Sequence, residues 1–255
     1  MSFFERYRRG EREQVWAELV SAGEAVRNEP LLSDARDVAR ETMRRARHNV
    51  EVIVDRLREI GYRFDFEGPA IQRIPPAAST ALERLDADMG PLPLSLHTWF
   101  DVVGNVRLTG SHPWLSTSYE VDRRRDYRLT SYSDPLVIRL EYRHNEILFL
   151  PYREAFGYET AADQDAAFDP DLADACILEL APDDCHKAGV SGGGPYFMAF
   201  PNRAADARLY GDQPYGFFVE YLRECFVWGG FPGIKHSTVR PDEQLALLTR
   251  DLEPI

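Results

Sequence analysis

One stretch of the sequence carries the letters of a serine nucleophile: residues 189–193 read GVSGG and match G-x-S-x-G, with Ser191 at the centre. In α/β hydrolases this serine lies on a sharp turn between a strand and a helix, and an acid and a histidine follow it along the chain. Here those two positions could be filled by Asp206 or Asp212 and by His236. The apolar run Tyr196–Phe200 after the motif predicts a strand, however, and not the helix that this site needs. The motif therefore favours a flexible turn, and serine hydrolysis is the alternative.

A second group of reactive side chains is contiguous, because Asp183, Asp184, Cys185 and His186 could act as bases, a nucleophile or metal ligands. We expect an extended chain here, on which consecutive side chains point to opposite sides. That geometry disfavours a Cys–His pair and a shared metal, so the expected roles are hydrogen bonding for His186 and packing for Cys185. None of the three cysteines belongs to a C-x-x-C pair, which predicts reduced structural thiols. The sequence thus predicts a protein that is not an enzyme and uses no metal or cofactor.

The charge of the chain is concentrated in one segment. The 255 residues contain 30 Lys and Arg against 42 Asp and Glu, which gives a formal net charge of −12. Residues 154–186 hold ten carboxylates and no Lys or Arg, so this segment alone contributes −10 of that total. Such a segment attracts a basic protein over a long range and repels nucleic acid. The alternative is a solvated acidic loop that keeps the chain soluble.

We expect contacts with a partner in this acidic segment and in the loop that follows it. The candidate partner-binding residues are Glu159, Asp163, Asp165, Asp169, Asp171, Asp174, Asp183, Asp184, His186 and Tyr196. The expected partner is a basic protein.

A cluster of arginines among tyrosines has the opposite character. It contains Arg123, Arg124, Arg125 and Arg128. Cations beside aromatic rings can grip phosphate or stack on bases. The cluster also includes aspartates, so we predict a polar loop or hairpin, with nucleic-acid contact as the alternative.

Helical periodicity dominates residues 1–66. A first series ends where Asn28, Glu29 and Pro30 break the pattern. A longer apolar series in steps of four and three predicts a second helix: Ala39, Met43, Ala46, Val50, Ile53, Leu57 and Ile60. This helix is expected to begin after the N-cap candidate Ser33 and to end at Gly61. We predict a helical hairpin that packs on its own domain, with a coiled-coil partner as the alternative.

Residues 67–255 mix shorter helices with separated strands. Thr80 with Glu83 predicts a capping box for a helix that ends near Gly90, and Ser95 predicts the N-cap of a helix that ends at Gly104. Strands are predicted at Leu136–Tyr142, Cys176–Leu180 and Tyr196–Phe200. The spacing of Phe218, Tyr221, Leu222 and Cys225 predicts a final amphipathic helix. This order of elements favours an α+β fold.

The stretch from Leu82 to Gly110 resembles the opening of the SUKH superfamily, and Phe217–Phe226 is similar to its closing helix. The residues that carry the opening are Leu82, Leu85, Gly90, Leu92, Pro93, Leu96, Trp99, Phe100 and Gly104. The resemblance covers residues 78–235 and implies a central antiparallel sheet flanked by helices. It also implies a bacterial immunity protein that binds and neutralises a toxin, frequently a nuclease. Residues 1–66 would then be a helical extension packed on a SUKH-like domain at 67–255.

The expected function is therefore non-catalytic binding, in which an acidic surface neutralises a cognate toxin or another basic protein. The first ten residues lead into no apolar stretch of a secretory signal, and no apolar run approaches membrane-spanning length. We accordingly expect a cytoplasmic protein without membrane contact, with export by a route that needs no N-terminal signal as the alternative. A serine hydrolase that uses Ser191, and a scaffold whose hairpin binds another protein, are the alternatives.

Overall fold

The fold combines helices with short strands. The computed structural model describes residues 1–115, 133–140, 142–143, 146–155, 172, 174–189, 194–211, 216–236 and 240–255. The α-helices are α1 Phe3–Arg8, α2 Arg12–Ser21, α3 Leu31–Glu59, α4 Pro76–Met89, α5 Leu94–Val102, α6 Tyr152–Ala155, α7 Asp184–Lys187, α8 Phe218–Val227 and α9 Asp242–Thr249. The strands are β1 Arg63–Phe64, β2 Ile71–Gln72, β3 Asn105–Arg107, β4 Gly110–Ser111, β5 Val137–Ile138, β6 Tyr142–Arg143, β7 Glu146–Ile147, β8 Leu150–Pro151, β9 Cys176–Ala181 and β10 Tyr196–Phe200.

The longest helix is α3, and its apolar stripe is covered by the rest of the chain. Buried side chains recur along it in steps of three and four: Ala35, Val38, Ala39, Met43, Ala46, Val50, Ile53, Val54 and Leu57. The helix packs against α1, α5 and α9. The expected packing of this helix on its own chain is confirmed.

The start of α3 differs from the prediction. The helix begins directly after Pro30, so Ser33 lies in its first turn and is not the N-cap. The Ser33 hydroxyl donates to Glu29 Oε2 at 2.8 Å. The end agrees with the prediction, because Gly61 follows the helix with a φ of +78°.

The predicted first helix is divided into α1, α2 and a 3-10 helix at Gly23–Arg27. The Asp34 carboxylate of α3 accepts hydrogen bonds from Phe3 N and Phe4 N, at 2.6 and 2.9 Å, at the start of α1. These amides have no partner inside α1, so Asp34 satisfies donors that the helix leaves unpaired. Trp16 Nε1 of α2 donates to Thr42 Oγ1 of α3 at 3.1 Å. The N-terminal helices are thus folded back on α3.

Helices α4 and α5 both begin earlier than predicted. Thr80 lies inside α4, where its hydroxyl donates to Pro76 O at 3.2 Å, so the predicted capping box is wrong. Ser95 lies in the first turn of α5, and its hydroxyl accepts a hydrogen bond from Ala207 N at 3.2 Å. Pro75 and Pro93 are the N-caps of the two helices, and Pro76 is the first residue of α4, where its fixed φ suits the helix.

The ends of these two helices lie at the predicted glycines. Gly90 and Gly104 have φ values of +101° and +89°, which side chains rarely adopt. A Cβ on Gly104 would lie 2.3 Å from the carbonyl oxygen of Gln72. Glycine is therefore required where the end of α5 meets β2.

The strands form several small sheets, and every pairing among the described residues is antiparallel. The longest pairing joins β9 to β10, and β8 pairs with the other side of β9. The predicted strands at Cys176–Leu180 and Tyr196–Phe200 are confirmed. The run Leu136–Tyr142 is divided instead between β5 and β6, which belong to different sheets. The α+β class is confirmed, but the described strands do not join into one central sheet.

One hydrophobic core extends across residue 66. Tyr7 and Ile53 from the N-terminal part belong to the same cluster as Trp99, Met198 and Phe231. The division into residues 1–66 and 67–255 stays a prediction.

Helix α8 confirms the predicted C-terminal helix, but α9 follows it. Asn49 on α3 binds the chain after α9, since its Nδ2 donates to Glu253 O at 2.8 Å and its Oδ1 accepts from Glu253 N at 2.7 Å. The terminal residue Ile255 is buried. The C-terminus is therefore part of the core around α3.

Asp206 is buried at the N-terminus of α8. The residue is 2% exposed, and its carboxylate accepts hydrogen bonds from Ala207 N at 2.9 Å and Val219 N at 3.2 Å. The Val219 amide belongs to the first turn of α8, where backbone donors lack partners within the helix. Burial disfavours the charged form and raises the pKa of Asp206 to about 7.

We predict that Asp206→Asn removes part of the pH dependence of stability. The folded chain holds the Asp206 proton more tightly than the unfolded chain, so this stabilisation is present below about pH 4 and is lost as the pH rises through about 7. Each pKa unit corresponds to about 1.4 kcal/mol. Urea unfolding should be measured at about pH 4 and about pH 7. Between these two values the unfolding free energy should fall less in the variant than in the wild type.

The matched control for this prediction is Asp88→Asn, at an exposed position in α4. It should keep the pH dependence of the wild type. An equal loss of unfolding free energy in the wild type and in Asp206→Asn would contradict the prediction.

Candidate functional site

Helix α7 is a single turn that follows β9 at the end of the acidic segment. Asp183 is its N-cap and accepts hydrogen bonds from Cys185 N at 2.8 Å and His186 N at 3.1 Å. Aspartate is among the residues preferred at this position. The expectation of an extended chain at 183–186 is wrong, because the turn places Asp183 and His186 side by side. His186 Nδ1 contacts Asp183 Oδ2, and the His186 side chain is 48% exposed.

Lys187 and Asp134 form an ion pair that is closed off from solvent. The Nζ–Oδ1 distance is 2.6 Å, and the side chains are 0% and 3% exposed. The Lys187 ammonium also lies 4.6 Å from the centroid of the Tyr196 ring, and the Tyr196 hydroxyl lies 3.4 Å from Asp134 Oδ2. A buried ammonium needs such partners because desolvating an unpaired charge is costly. The pair therefore joins α7 to β10 and to the chain before β5.

A cavity of about 260 Å³ opens beside α7 and the end of β9. Arg139, Glu179, Asp183 and His186 are among the residues that line it. Arg139 N donates to Leu180 O at 2.8 Å, which holds the chain after β5 against β9. The cavity thus combines a guanidinium, carboxylates and an imidazole.

Asp184 lies half-buried in the same turn. Burial, and secondarily the negative charge of Asp134, raise its pKa. The potential ligand atoms of Asp183, Asp184 and Cys185 lie within 4.8 Å of one another. Asp183 already accepts two backbone hydrogen bonds and contacts His186, so its oxygens are engaged in holding the turn. These three residues do not by themselves define a metal site.

An apolar strip is exposed where β7 leads into β8. Leu148, Phe149 and Leu150 are 41%, 37% and 41% exposed, although side chains of this kind are usually buried. The Phe149 ring packs edge-on against the buried ring of Phe200, with 5.4 Å between the centroids. In the part of the chain that the structure describes, β9 is the only strand that pairs with β8. The strip therefore lies at a sheet edge.

Two exposed carboxylates flank this strip. Tyr152 N donates to Ala175 O at 2.9 Å, which brings the start of α6 beside the start of β9. Glu154 in α6 and Asp174 before β9 are both exposed. We use the name β8 surface for Leu148, Phe149, Leu150, Glu154 and Asp174.

The candidate partner-binding residues fall into groups with different surroundings. Outside the described residues lie Glu159, Asp163, Asp165, Asp169 and Asp171. Asp174 and His186 are exposed, and Asp184 is half-buried. Asp183 and Tyr196 are only 1% and 4% exposed in the folded chain, and their polar atoms contact other parts of it. These two side chains position their neighbours and are not accessible to a partner in this structure.

Of the residues considered for hydrolysis, the structure describes Asp206 and His236. Ser191 and Asp212 lie outside the described residues, as do Arg123, Arg124, Arg125 and Arg128 of the basic cluster. The carboxylate of Asp206 is engaged at the start of α8. His236 is exposed at the end of the 3-10 helix Pro232–His236. Within the described ranges no hydrogen bond joins Asp206 to His236.

Two features of the site were not predicted from the sequence. Asp134 and Lys187 are 53 positions apart, and no local pattern connects them. The apolar run Ile147–Leu150 is visible in the sequence, but its exposure depends on strand pairing that the sequence does not specify.

Comparison of the chain with protein-family models, curated proteins and solved structures found no match. The resemblance of residues 78–235 to the SUKH superfamily therefore stays a prediction. Among the helices of the described ranges, none combines the length and the apolar character needed to cross a membrane. A functional assignment must accordingly rest on the residues and the site geometry.

We predict that Asp134 and Lys187 are energetically coupled. Lys187→Met should lower the unfolding free energy by about 3–5 kcal/mol, because it removes the Lys187 ammonium from the buried Asp134 carboxylate. Adding Asp134→Asn removes that charge, so the double variant should recover part of the loss. Asparagine suits the site because Asp134 has a φ of +44°. Urea unfolding of both single variants and the double variant measures the coupling, and additive losses would contradict it.

Proposed function

We propose that this protein is a non-catalytic binding protein that neutralises a basic protein partner, namely a toxin with a positively charged surface. The observation that carries the proposal is the β8 surface, where exposed apolar side chains lie beside exposed carboxylates. Apolar groups rimmed by polar residues are typical of protein-binding surfaces. The ten carboxylates of residues 154–186 support a basic partner.

The two kinds of side chain on the β8 surface have different roles in this proposal. Leu148, Phe149 and Leu150 supply affinity, since burying an apolar side chain of this size contributes about 1.5–3 kcal/mol before the costs of association. Phe149 already packs on Phe200 and loses less side-chain entropy on binding than a free side chain would. Glu154 and Asp174 attract the partner over a longer range, and salt screens that attraction.

The charge distribution favours a protein partner over a nucleic acid. A segment with ten carboxylates and no basic residue repels the phosphate backbone, whose neutralisation supplies most nucleic-acid affinity. A nuclease toxin, in contrast, needs a basic cleft for its own substrate. A carboxylate-rich surface can occupy such a cleft and exclude nucleic acid from it.

A serine hydrolase is the second candidate, and the Asp183–His186 contact favours it. A buried carboxylate that contacts a half-exposed imidazole is an arrangement that the acid and base of a catalytic triad also have. In this alternative His186 replaces His236 as the base for Ser191. A serine-directed fluorophosphonate probe separates the candidates: labelling that is lost in Ser191→Ala and in His186→Gln supports the hydrolase, and no labelling supports the binding protein.

A scaffold that uses the N-terminal helices has less support. That role requires an apolar helix face that is open to another protein. The stripe of α3 is covered by α1, α5 and α9 of the same chain.

We predict that coexpression with a toxin encoded by a neighbouring gene rescues growth, and that the rescue depends on the β8 surface. Leu148→Ser combined with Leu150→Ser should raise the Kd of the purified pair by about tenfold or more, because tenfold corresponds to about 1.4 kcal/mol of lost binding energy. The change should come mainly from faster dissociation. Glu154→Lys combined with Asp174→Lys should slow association and weaken its salt dependence.

Two exposed positions outside the β8 surface serve as matched controls. Val227 is 65% exposed on α8, and Asp88 is exposed on α4. Val227→Ser and Asp88→Lys should bind and rescue like the wild type. The proposal is overturned if the protein neutralises none of the toxins encoded by neighbouring genes. It is also overturned if the control variants weaken binding as much as the β8-surface variants do.

A further inference from the structure

A second polar cavity, of about 260 Å³, lies between α3, α5 and the chain after α4. None of the residues of the β8 surface lines it. Its lining includes Arg36 and Arg40, which are one helical turn apart on α3 and therefore leave the helix on the same face. Arg27 reaches the cavity from the 3-10 helix that precedes α3. Three arginines thus line one small space, which we call the arginine pocket.

Arg27 is fixed by contacts that do not neutralise its charge. Its Nε donates to the carbonyl oxygen of Arg203 at 2.8 Å, and its Nη2 donates to the carbonyl oxygen of Leu92 at 2.5 Å. Carbonyl oxygens position the guanidinium but carry no formal charge. Burial, followed by the neighbouring cation Arg203, lowers the pKa of Arg27. Asp86 acts in the opposite direction on this pKa, and Arg36 adds to the lowering.

Arg36 and Arg40 differ from four other arginines of α3. Those four bind carboxylates on the same helix, in the pairs Arg44–Glu41, Arg45–Glu41, Arg47–Glu51 and Arg58–Asp55. Arg36 and Arg40 are exposed, and neither forms an ion pair with a carboxylate of the residues described here. Their donors are available to a ligand in the pocket.

The carboxylates of the pocket balance only part of this charge. Asp86 Oδ1 accepts a hydrogen bond from Leu92 N at 3.2 Å, and Asp86 Oδ2 lies 3.7 Å from His97 Nε2. Asp86 is thus engaged with the chain after α4 and with α5. Asp101 is the other carboxylate of the lining. Three arginines and two aspartates line the pocket, so the formal charge of these residues is positive and favours an anion.

We propose that the arginine pocket binds the phosphate group of a small phosphomonoester. The planar guanidinium presents several N–H donors in an arrangement that matches phosphate oxygens. A cavity of about 260 Å³ exceeds the space that a phosphate group alone fills. It approaches the lower end of small-molecule sites, about 300 Å³. The ligand therefore carries an organic group attached to the phosphate.

Isothermal titration calorimetry of the full chain tests this proposal with AMP, inorganic phosphate and adenosine, at constant ionic strength set with sodium chloride. We expect AMP and phosphate to bind, AMP more tightly, and adenosine to give no binding heat. Arg36→Ala and Arg40→Ala should each raise the Kd for AMP by about tenfold, as expected for the loss of a hydrogen bond to a charged group. Both residues are exposed, so the variants should keep the melting temperature of the wild type.

Arg58→Ala is the matched control, because Arg58 lies on the same helix and pairs with Asp55 outside the pocket. It should leave the Kd for AMP unchanged. The proposal is overturned if the wild type binds neither AMP nor phosphate, or if Arg58→Ala weakens binding as much as Arg36→Ala. Adenosine binding as tight as that of AMP would also overturn it.

Discussion

The apolar stripe of α3 has to be covered, and this constraint organises the chain around one helix. Its buried side chains, such as Met43 and Ile53, are covered from the N-terminal side by α1, from the middle of the chain by α5 and from the C-terminal side by α9. Distant parts of the sequence therefore share one core. The polar face of the same helix carries Arg36 and Arg40 of the arginine pocket and the ion pairs of Glu41. Hydrogen bonds from Arg44 and Arg45 lower the pKa of Glu41 to about 2.

The second constraint lies in β9, which anchors both ends of the acidic segment. Near the start of the segment, the Tyr152–Ala175 hydrogen bond holds α6 beside β9, and β8 completes the edge of the sheet. At the end of the segment, Asp183 caps α7 directly after β9, and the buried Lys187–Asp134 pair fixes that turn. The exposed carboxylates Glu154 and Asp174 thus lie close to elements that these contacts hold in place. This arrangement supports the proposed attraction of a basic partner, because charges close to rigid elements are pre-organised for binding.

The sequence predicted the elements with long or regular patterns and missed features that depend on distant contacts. The apolar series from Ala39 to Ile60 made α3 evident, and the glycines after α4 and α5 marked their ends. Helix starts were less predictable because Ser33 and Thr80, both of types that often cap helices, lie inside their helices instead. The Ser33 hydroxyl bonds to Glu29 before α3, and the Thr80 hydroxyl bonds to Pro76 O within α4. Helix α9 has only eight residues and was not predicted.

The site shows the same division between local and distant information. The concentration of carboxylates is a property of the sequence and was found there. Whether a carboxylate faces solvent depends on packing, and Asp183 became a buried N-cap while Asp174 stayed exposed. The Asp134–Lys187 pair and the approach of Arg27 to Arg36 join positions that no local spacing connects.

Hydrogen–deuterium exchange tests most directly whether the β8 surface is the contact with a basic partner. Exchange would be measured for the chain alone and for its complex with the toxin that we propose it neutralises. We expect slower exchange on binding at the backbone amides of residues 146–154 and 174–181, with little change in α4 and α9. Slower exchange confined to the helices, with none in β8 or β9, would contradict the proposed surface.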